Sequence, residues 1–250
     1  MKDDLTMANI NLYAVLRNLE DLCELDAEMK ALIQNVKLSI QFLVKDGPKA
    51  VIRFESGKCT FERGVHASAV KLYFKSPQHF NNMVEGKASP IPLKGLTKLK
   101  FLTTDFTKLT DRLSYYLKPT EELLKNPKYR EINTTLTAYT AFFALAEIGN
   151  TDPIGKLNGS RIPNGNIAVG IKNGPGINIH VQAGNLVSHK GLPTQFRASM
   201  MFEDMETAGK LLNGKVDSYS CIASKTLRLK GFIPMLDNMN KLLGQVPDYL

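Results

Sequence analysis

The sequence predicts an α/β protein, of the α+β kind, built as two tandem copies of one small module. Each copy is expected to be a mostly antiparallel sheet packed against helices around an apolar core or cavity. Three observations carry this reading: segments centred on glycine that return after a fixed interval, runs that alternate apolar with polar residues, and apolar stretches at helical spacing around those runs. Lys45-Asp46-Gly47-Pro48 returns as Lys172-Asn173-Gly174-Pro175, 127 residues later, and Gly57/Gly184 and Gly64/Gly191 keep that spacing. Glu85-Gly86-Lys87 returns as Asn213-Gly214-Lys215 after 128 residues, and Lys98-Leu99-Lys100 as Arg228-Leu229-Lys230 after 130. The expected division is 1–119, with an N-terminal helix, and 120–250, with its own preceding helix and a loop rich in Gly, Asn and Pro.

Taken in order, Ile10, Leu12, Val15, Leu16, Leu19, Leu22, Leu25, Met29 and Leu32 support a long or broken helix across residues 8–34. Ala50, Ile52 and Phe54 then alternate with Val51, Arg53 and Glu55, and Ser56-Gly57 turns the chain. A two-residue turn sets Phe54 opposite Cys59 and Ile52 opposite Phe61, one face apolar and the other charged. Val70, Leu72 and Phe74 predict a third strand. Ser76-Pro77 reads as a helix cap with proline in the first turn, Phe80, Met83 and Val84 face inward, and Gly86 ends the helix. A strand is expected around residues 93–102, then an amphipathic helix with Phe106, Leu109, Leu113, Tyr116 and Leu117.

Pro119 and Asn126-Pro127 mark the junction between copies. The second copy opens with a helix carrying Ile132, Leu136, Tyr139 and Phe143, followed by a loop over 150–166. Its hairpin has Ile177, Ile179, Val181 and Leu186 on one face around Ala183-Gly184, and Asn178, His180, Gln182 and His189 on the other. Phe196, Ala198 and Met200 give the third strand. Asp204 caps a helix with Ala208, Leu211 and Leu212 that ends at Gly214, a strand covers 224–232, and Met235, Leu236, Met239, Leu242 and Leu243 form the last helix.

That order of elements resembles the sterol carrier protein 2 (SCP-2) family. The matching stretches are 46–61, 70–74, 76–87 and 95–117 in the first copy and 173–188, 196–200, 204–215 and 224–243 in the second. The second fits better, through Leu211-Leu212-Asn213-Gly214-Lys215 and 226–231. The chain departs from the family in lacking the Trp common near the start of its domains, and in placing Phe101 where Gly231 closes the second copy's strand. The resemblance implies an elongated apolar cavity between sheet and helices that accepts a fatty acyl chain, phospholipid, sterol or isoprenoid. The residues expected to line it are Ile52, Phe54, Val70, Leu72, Phe74, Met83, Ile179, Val181, Phe196, Met200, Leu211, Leu229, Met235 and Met239. A second reading is an accessory or scaffold protein, without bound lipid, that partners a lipid- or quinone-modifying enzyme.

The totals narrow the function classes. Hydrophobic residues form 43% and charged residues 22% of the 250 residues, an ordinary globular balance. No apolar run is long enough to span a bilayer, and Met1-Lys2-Asp3-Asp4 does not open a secretory signal, so a cytoplasmic location is expected. Cys23, Cys59 and Cys221 have no metal-site spacing. The net charge of +8 is concentrated: residues 35–119 carry 15 basic against 6 acidic side chains. Such a face suits transient docking on an anionic membrane surface. Nucleic acid is not expected, because no run of four Lys/Arg and no RNA-binding motif occurs.

No catalytic constellation is present. His66, His79, His180 and His189 supply no third metal ligand, and the nucleophile-elbow, zinc-protease and phosphate-loop motifs are all missing. Residues 170–176 are glycine-rich but read as a turn entering a strand, which does not cradle phosphate. Cys59 and Cys221 are expected in strands as inert thiols, and Glu121, Glu122, Glu203, Asp204 and Glu206 as helix-start charges. The sequence therefore predicts no cofactor, no metal and no enzyme activity.

Overall fold

A computed structural model describes residues 2–250 and separates into two compact units, Met1–Lys118 and Pro119–Leu250. Each unit is a five-stranded sheet with helices on one face. In the first unit the helical segments α1 (Asp4–Ile10), α2 (Leu19–Leu25) and α3 (Ala27–Leu32) precede β1 (Leu38–Val44), β2 (Lys49–Glu55), β3 (Lys58–Arg63) and β4 (Val70–Phe74). Helix α4 (Pro77–Val84), β5 (Ile91–Lys94), a short α5 (Leu99–Phe101) and α6 (Thr107–Leu117) complete it. The strand order is β3-β2-β1-β4-β5. Only β1 and β4 run parallel, with Ile40 beside Val70, Phe42 beside Leu72 and Val44 beside Phe74.

In the second unit α7 (Glu121–Leu124), α8 (Pro127–Thr151) and α9 (Pro153–Ser160) lead into β6 (Gly165–Ile171), β7 (Gly176–Gln182), β8 (Asn185–Lys190) and β9 (Ala198–Phe202). Helices α10 (Met205–Leu212) and α11 (Ser218–Ala223), strand β10 (Leu227–Gly231), α12 (Ile233–Leu243) and α13 (Val246–Tyr249) follow. The order β8-β7-β6-β9-β10 repeats that of the first sheet, again with one parallel pair, β6 and β9.

The turns explain why the hairpins were legible. Ser56-Gly57 and Ala183-Gly184 all have positive φ, the two-residue turn whose twist matches paired strands. Phe54 faces Cys59 and Ile52 faces Phe61, as the alternation requires. Helix α4 starts at Ser76, whose hydroxyl accepts the His79 N–H, and α10 starts at Asp204, whose carboxylate accepts the Thr207 N–H.

Several expectations need correction. Both central strands, β1 and β6, were missed. They are buried nearly throughout, so they show no two-residue alternation. The span 150–166 is not a loop: α8 runs to Thr151, α9 fills Pro153–Ser160 and β6 begins at Gly165. The long or broken N-terminal helix takes its broken form: Asp26 has extended backbone (φ −102, ψ 111), and its carboxylate accepts the N–H groups of Glu28 and Met29 to cap α3. Phe196 precedes the third strand, which spans Ala198–Phe202, and Cys221 sits on helix α11.

The strand expected at 93–102 is only Ile91–Lys94, with helical turns from Leu96 onward. This shifts the register between units. Leu93-Lys94-Gly95 stands where Leu229-Lys230-Gly231 stands, so Gly95, not Phe101, closes the first unit's strand. Gly95 has φ +86 and a Cβ there would lie 2.7 Å from the Ala69 carbonyl; Gly231 has φ +94 and would meet the Arg197 carbonyl. Helix α11, which the first unit lacks, accounts for the longer spacing. Replacing Gly95 or Gly231 by Ala is expected to lower the urea midpoint, by about 1–3 kcal/mol in stability, whereas Gly191→Ala, which meets no atom within 4 Å, should cost less.

Candidate functional site

The face of each sheet that carries the apolar residues lies against the helices, and the two units fill that layer differently. In the first, six phenylalanines form a connected cluster. Phe42 stacks on Phe74 with centroids 6.5 Å apart, and meets Phe80 and Phe106 at 6.3 Å each. Phe74 meets Phe80 at 4.9 Å, and Phe54 contacts Phe101 at 5.6 Å and Phe106 at 6.4 Å. Ile52, Val70 and Leu72 are buried in the same layer, and Met83 is half-buried on α4.

Strand register and helix caps assign four of these six rings a counterpart in the second unit. Phe42, beside Leu72, corresponds to Val169, beside Met200. Phe54, ending its hairpin strand opposite Cys59, corresponds to Val181 opposite Leu186. Phe80, four residues after its helix cap, corresponds to Ala208, whereas Phe74 keeps its ring, as Phe202. Ile179, Val181, Met200, Met235 and Met239 are buried here, with Leu211 and Leu229 half-buried at the margin. Helix α8 covers β8 and is buried around most of its circumference, and the Ser188 hydroxyl donates to the Phe142 carbonyl.

Ten of the fourteen residues expected to line a cavity are buried, and Met83, Leu211 and Leu229 are half-buried. Phe196 is neither. It is 53% exposed and lines a groove of about 790 Å³ on the other face of the second sheet, with Ala168, Leu192, Ser199 and Met201. Lys172, Arg197, Arg228 and Lys230 rim this groove together with Glu203. The first unit carries a cleft of about 620 Å³ by α3 and α6, lined by Met29, Leu32, Arg112 and Tyr115 and edged by charges of both signs, Glu28, Lys108 and Asp111.

One polar feature gave no recognisable signal in the sequence. The Asp26 carboxylate accepts hydrogen bonds from Arg112 Nε at 2.7 Å and from the Tyr116 hydroxyl at 2.9 Å. In the second unit the cap of α9, Asp152, accepts the Tyr249 hydroxyl at 2.7 Å. Each unit thus ties its last helical segments to the cap of an early helix. The partners are 90 and 97 residues apart, so local spacing is silent about them.

Three of the four histidines are held by polar groups of their own surroundings. His180 Nδ1 lies 2.9 Å from Asn166 Oδ1, His66 Nε2 is 2.8 Å from the Arg63 carbonyl, and His79 Nε2 is 3.0 Å from the Ser89 carbonyl. Among the described residues no group of three His, Cys, Asp or Glu is placed to hold a metal, and no helix is long and apolar enough to cross a membrane. Cys23 and Cys59 are neighbours, and their mutual hydrogen bond and burial push the Cys59 thiol well above its usual range. Such a thiol is a poor nucleophile.

No family model and no curated protein sequence matches the chain. Solved structures similar to part of it include the solution structure of sterol carrier protein domain 2 of Helicoverpa armigera, 14% identical, covering 45% of this chain and 89% of that one at a TM-score of 0.36. The UbiJ-SCP2 ubiquinone synthesis protein is 16% identical, covering 44% and 95% at 0.35. Sterol Carrier Protein 2 Like 2 of Aedes Aegypti is 15% identical, covering 44% and 95% at 0.32.

The Asp26 cluster has a pH signature. Burial alone raises the Asp26 carboxyl, but the bonds from Arg112, the Met29 N–H and Tyr116 outweigh it and hold the group below its ordinary value. Burial and the Asp26 carboxylate push Tyr116 up to about 12. The Asp26 contribution is complete above the unfolded carboxyl value and lost as pH falls through the lowered folded one. The Tyr116 contribution is complete below 10 and lost between 10 and about 12. Asp26→Asn should cost about 2 kcal/mol at neutral pH and flatten the acid limb of a stability–pH profile, and Tyr116→Phe should remove this residue's share of the alkaline loss.

Proposed function

We propose that this chain is a non-enzymatic binder or carrier of an apolar lipid, made of two copies of one SCP-2-like module. The second unit receives the ligand between its sheet and helices, and the first serves as a solid accessory module. The carrying observation is the exchange of rings at matched positions. Where the first unit sets Phe42, Phe54 and Phe80 in ring contact, the second has Val169, Val181 and Ala208, and Met200, Met235 and Met239 occupy the same layer. Aromatic rings in mutual contact are rigid. Methionine has three rotatable bonds and a polarizable sulfur, so it repacks around guests of different shape.

The binding physics makes no demand for a polar motif. Burying a sixteen-carbon chain is worth on the order of 12 kcal/mol gross, at about 0.8 per methylene, before ordering costs. Ile179, Val181, Met200, Leu211, Leu229, Met235 and Met239 are the proposed lining, and Phe196 lies outside it. The proposed setting is the cytoplasm. Native mass spectrometry of the purified chain should show one retained fatty acid, phospholipid, sterol or isoprenoid. Val181→Phe, which restores the first unit's ring, should cut that occupancy at least tenfold while the chain stays folded; an empty wild-type chain that also ignores micromolar fluorescent acyl probes would rule out the reading.

The accessory role of the first unit rests on its filled aromatic layer. Its basic surplus also suits reversible membrane docking: Lys37, Lys58, Lys71 and Lys75 all lie in the span that carries 15 cations against 6 anions. Binding to phosphatidylserine vesicles should fall steeply as salt rises toward 1 M, where the Debye length is about 3 Å. Salt-insensitive binding would mean that the charge plays no part.

A further inference from the structure

We infer that the outer face of the second sheet, away from the helices and from the lipid site proposed above, is a separate binding site for an amphipathic anion. The ligand class is a carboxylate or phosphate monoester carried on a compact apolar body. The two units supply the argument by contrast, because the same face is closed in the first and open in the second.

In the first unit Gln41 on β1 is fully buried and closes that face. Its Nε2 donates to the carbonyls of Phe42, Ala50 and Gly64 at 2.9–3.0 Å, and its Oε1 accepts the His66 N–H at 2.8 Å. The loop after β3 is thereby pinned onto the sheet. Lys94 on β5 adds a second tie, donating from Nζ to the Ser68 carbonyl at 2.7 Å. Strand register sets Ala168 at the position of Gln41 and Lys230 at that of Lys94. Ala168 has no group that reaches the loop after β8, which is held instead from two residues away, where Asn166 Nδ2 donates to the Gln195 carbonyl at 3.0 Å. The Lys230 ammonium has no hydrogen-bond or ion-pair partner among the described residues. With the ties at the Gln41 and Lys94 positions absent, a groove of about 790 Å³ lies open beside Ala168, a volume typical of small-molecule sites.

Its chemistry is two-sided. Ala168, Leu192, Phe196 and Met201 present apolar surface, and four cations stand against one carboxylate. Glu203 is 2.8 Å from both Lys172 and Arg228, so these two share one counter-charge. Arg197 lies over the Phe232 ring at 4.9 Å and donates to the Asn164 carbonyl, which leaves its charge uncompensated. An anion with an apolar body satisfies Lys230 and Arg197 while covering Leu192 and Phe196. A neutral alcohol or a bare phosphate meets only half of these demands.

The test is a set of titrations of the ¹⁵N-labelled full chain with decanoate, decyl phosphate, decanol and inorganic phosphate. At least one of the two amphipathic anions should bind at least tenfold more tightly than decanol and than inorganic phosphate, shifting the amides of Ser199, Lys230 and Gly231. Ala168→Gln, which rebuilds the first unit's tie, should weaken that anion at least tenfold. Lys230→Met, an exposed change that does not threaten folding, should weaken it about fivefold or more without affecting decanol. Lipid retained by Ala168→Gln in native mass spectra would show that this site failed independently of the interior one. Equal affinity for decanol, shifts confined to Met235 and Met239, or unchanged binding in both variants would overturn the inference, and so would the absence of binding by either anion.

Discussion

Each unit is organised around a central strand that must be covered on both faces. Strand β1 pairs antiparallel with β2 and parallel with β4, and β6 does the same with β7 and β9. A strand in that position has its hydrogen bonds satisfied on both edges, so its two faces alone remain to be buried. One face takes the helices. The other needs a loop, a side chain or a ligand. Ile40, Phe42 and Val44 point to the helices in the first unit, and Gln41 between them turns to the loop, sharing its two amide hydrogens among three carbonyls and accepting one N–H.

The second unit meets the same constraint with smaller side chains. Ala168 replaces the glutamine, and Val169 replaces the phenylalanine beside it. Both substitutions remove volume next to the central strand, one on each face. On the helix side, Met200, Met235 and Met239 are buried beside the sheet and the long helix α8 packs there. On the loop side Asn166 holds only the Gln195 carbonyl, at 3.0 Å, and the groove beside Ala168 remains. A single backbone plan thus yields one sealed unit and one with room on its surface, because packing density is set by side-chain volume rather than by strand order.

Much of this was readable in advance. The 127-residue repeat of glycines and turn residues followed from backbone conformations that few residues tolerate: Asp46 and Asn173, Ser56 and Ala183, Gly57 and Gly184 all have positive φ. The hairpins and the caps of α4 and α10 were legible because each has a local rule. The central strands were not, since burial on both faces erases alternation. The Gly- and Asn-rich span before β6 resembled a loop, although Asp152 caps a helix there and Asn166 and His180 pair across adjacent strands. The pairing of Lys98-Leu99-Lys100 with Arg228-Leu229-Lys230 fails because helix α11 intervenes in the second unit and moves the true counterpart to Leu93-Lys94-Gly95.

Residue types and their spacing were enough to establish the repeated α/β plan, the hairpin registers and the apolar face of each sheet, because turns, caps and alternation act within a few residues. They could not tell a filled layer from an accommodating one, or distinguish Phe196 from the interior residues that share its apolar character. Those outcomes depend on which side chains meet across the sheet and across some 90 residues of chain, as Asp26 meets Tyr116. Volume and hydrogen bonding at such meetings are properties of the folded arrangement, and only there do Gln41 and Ala168 become a closed face and an open one.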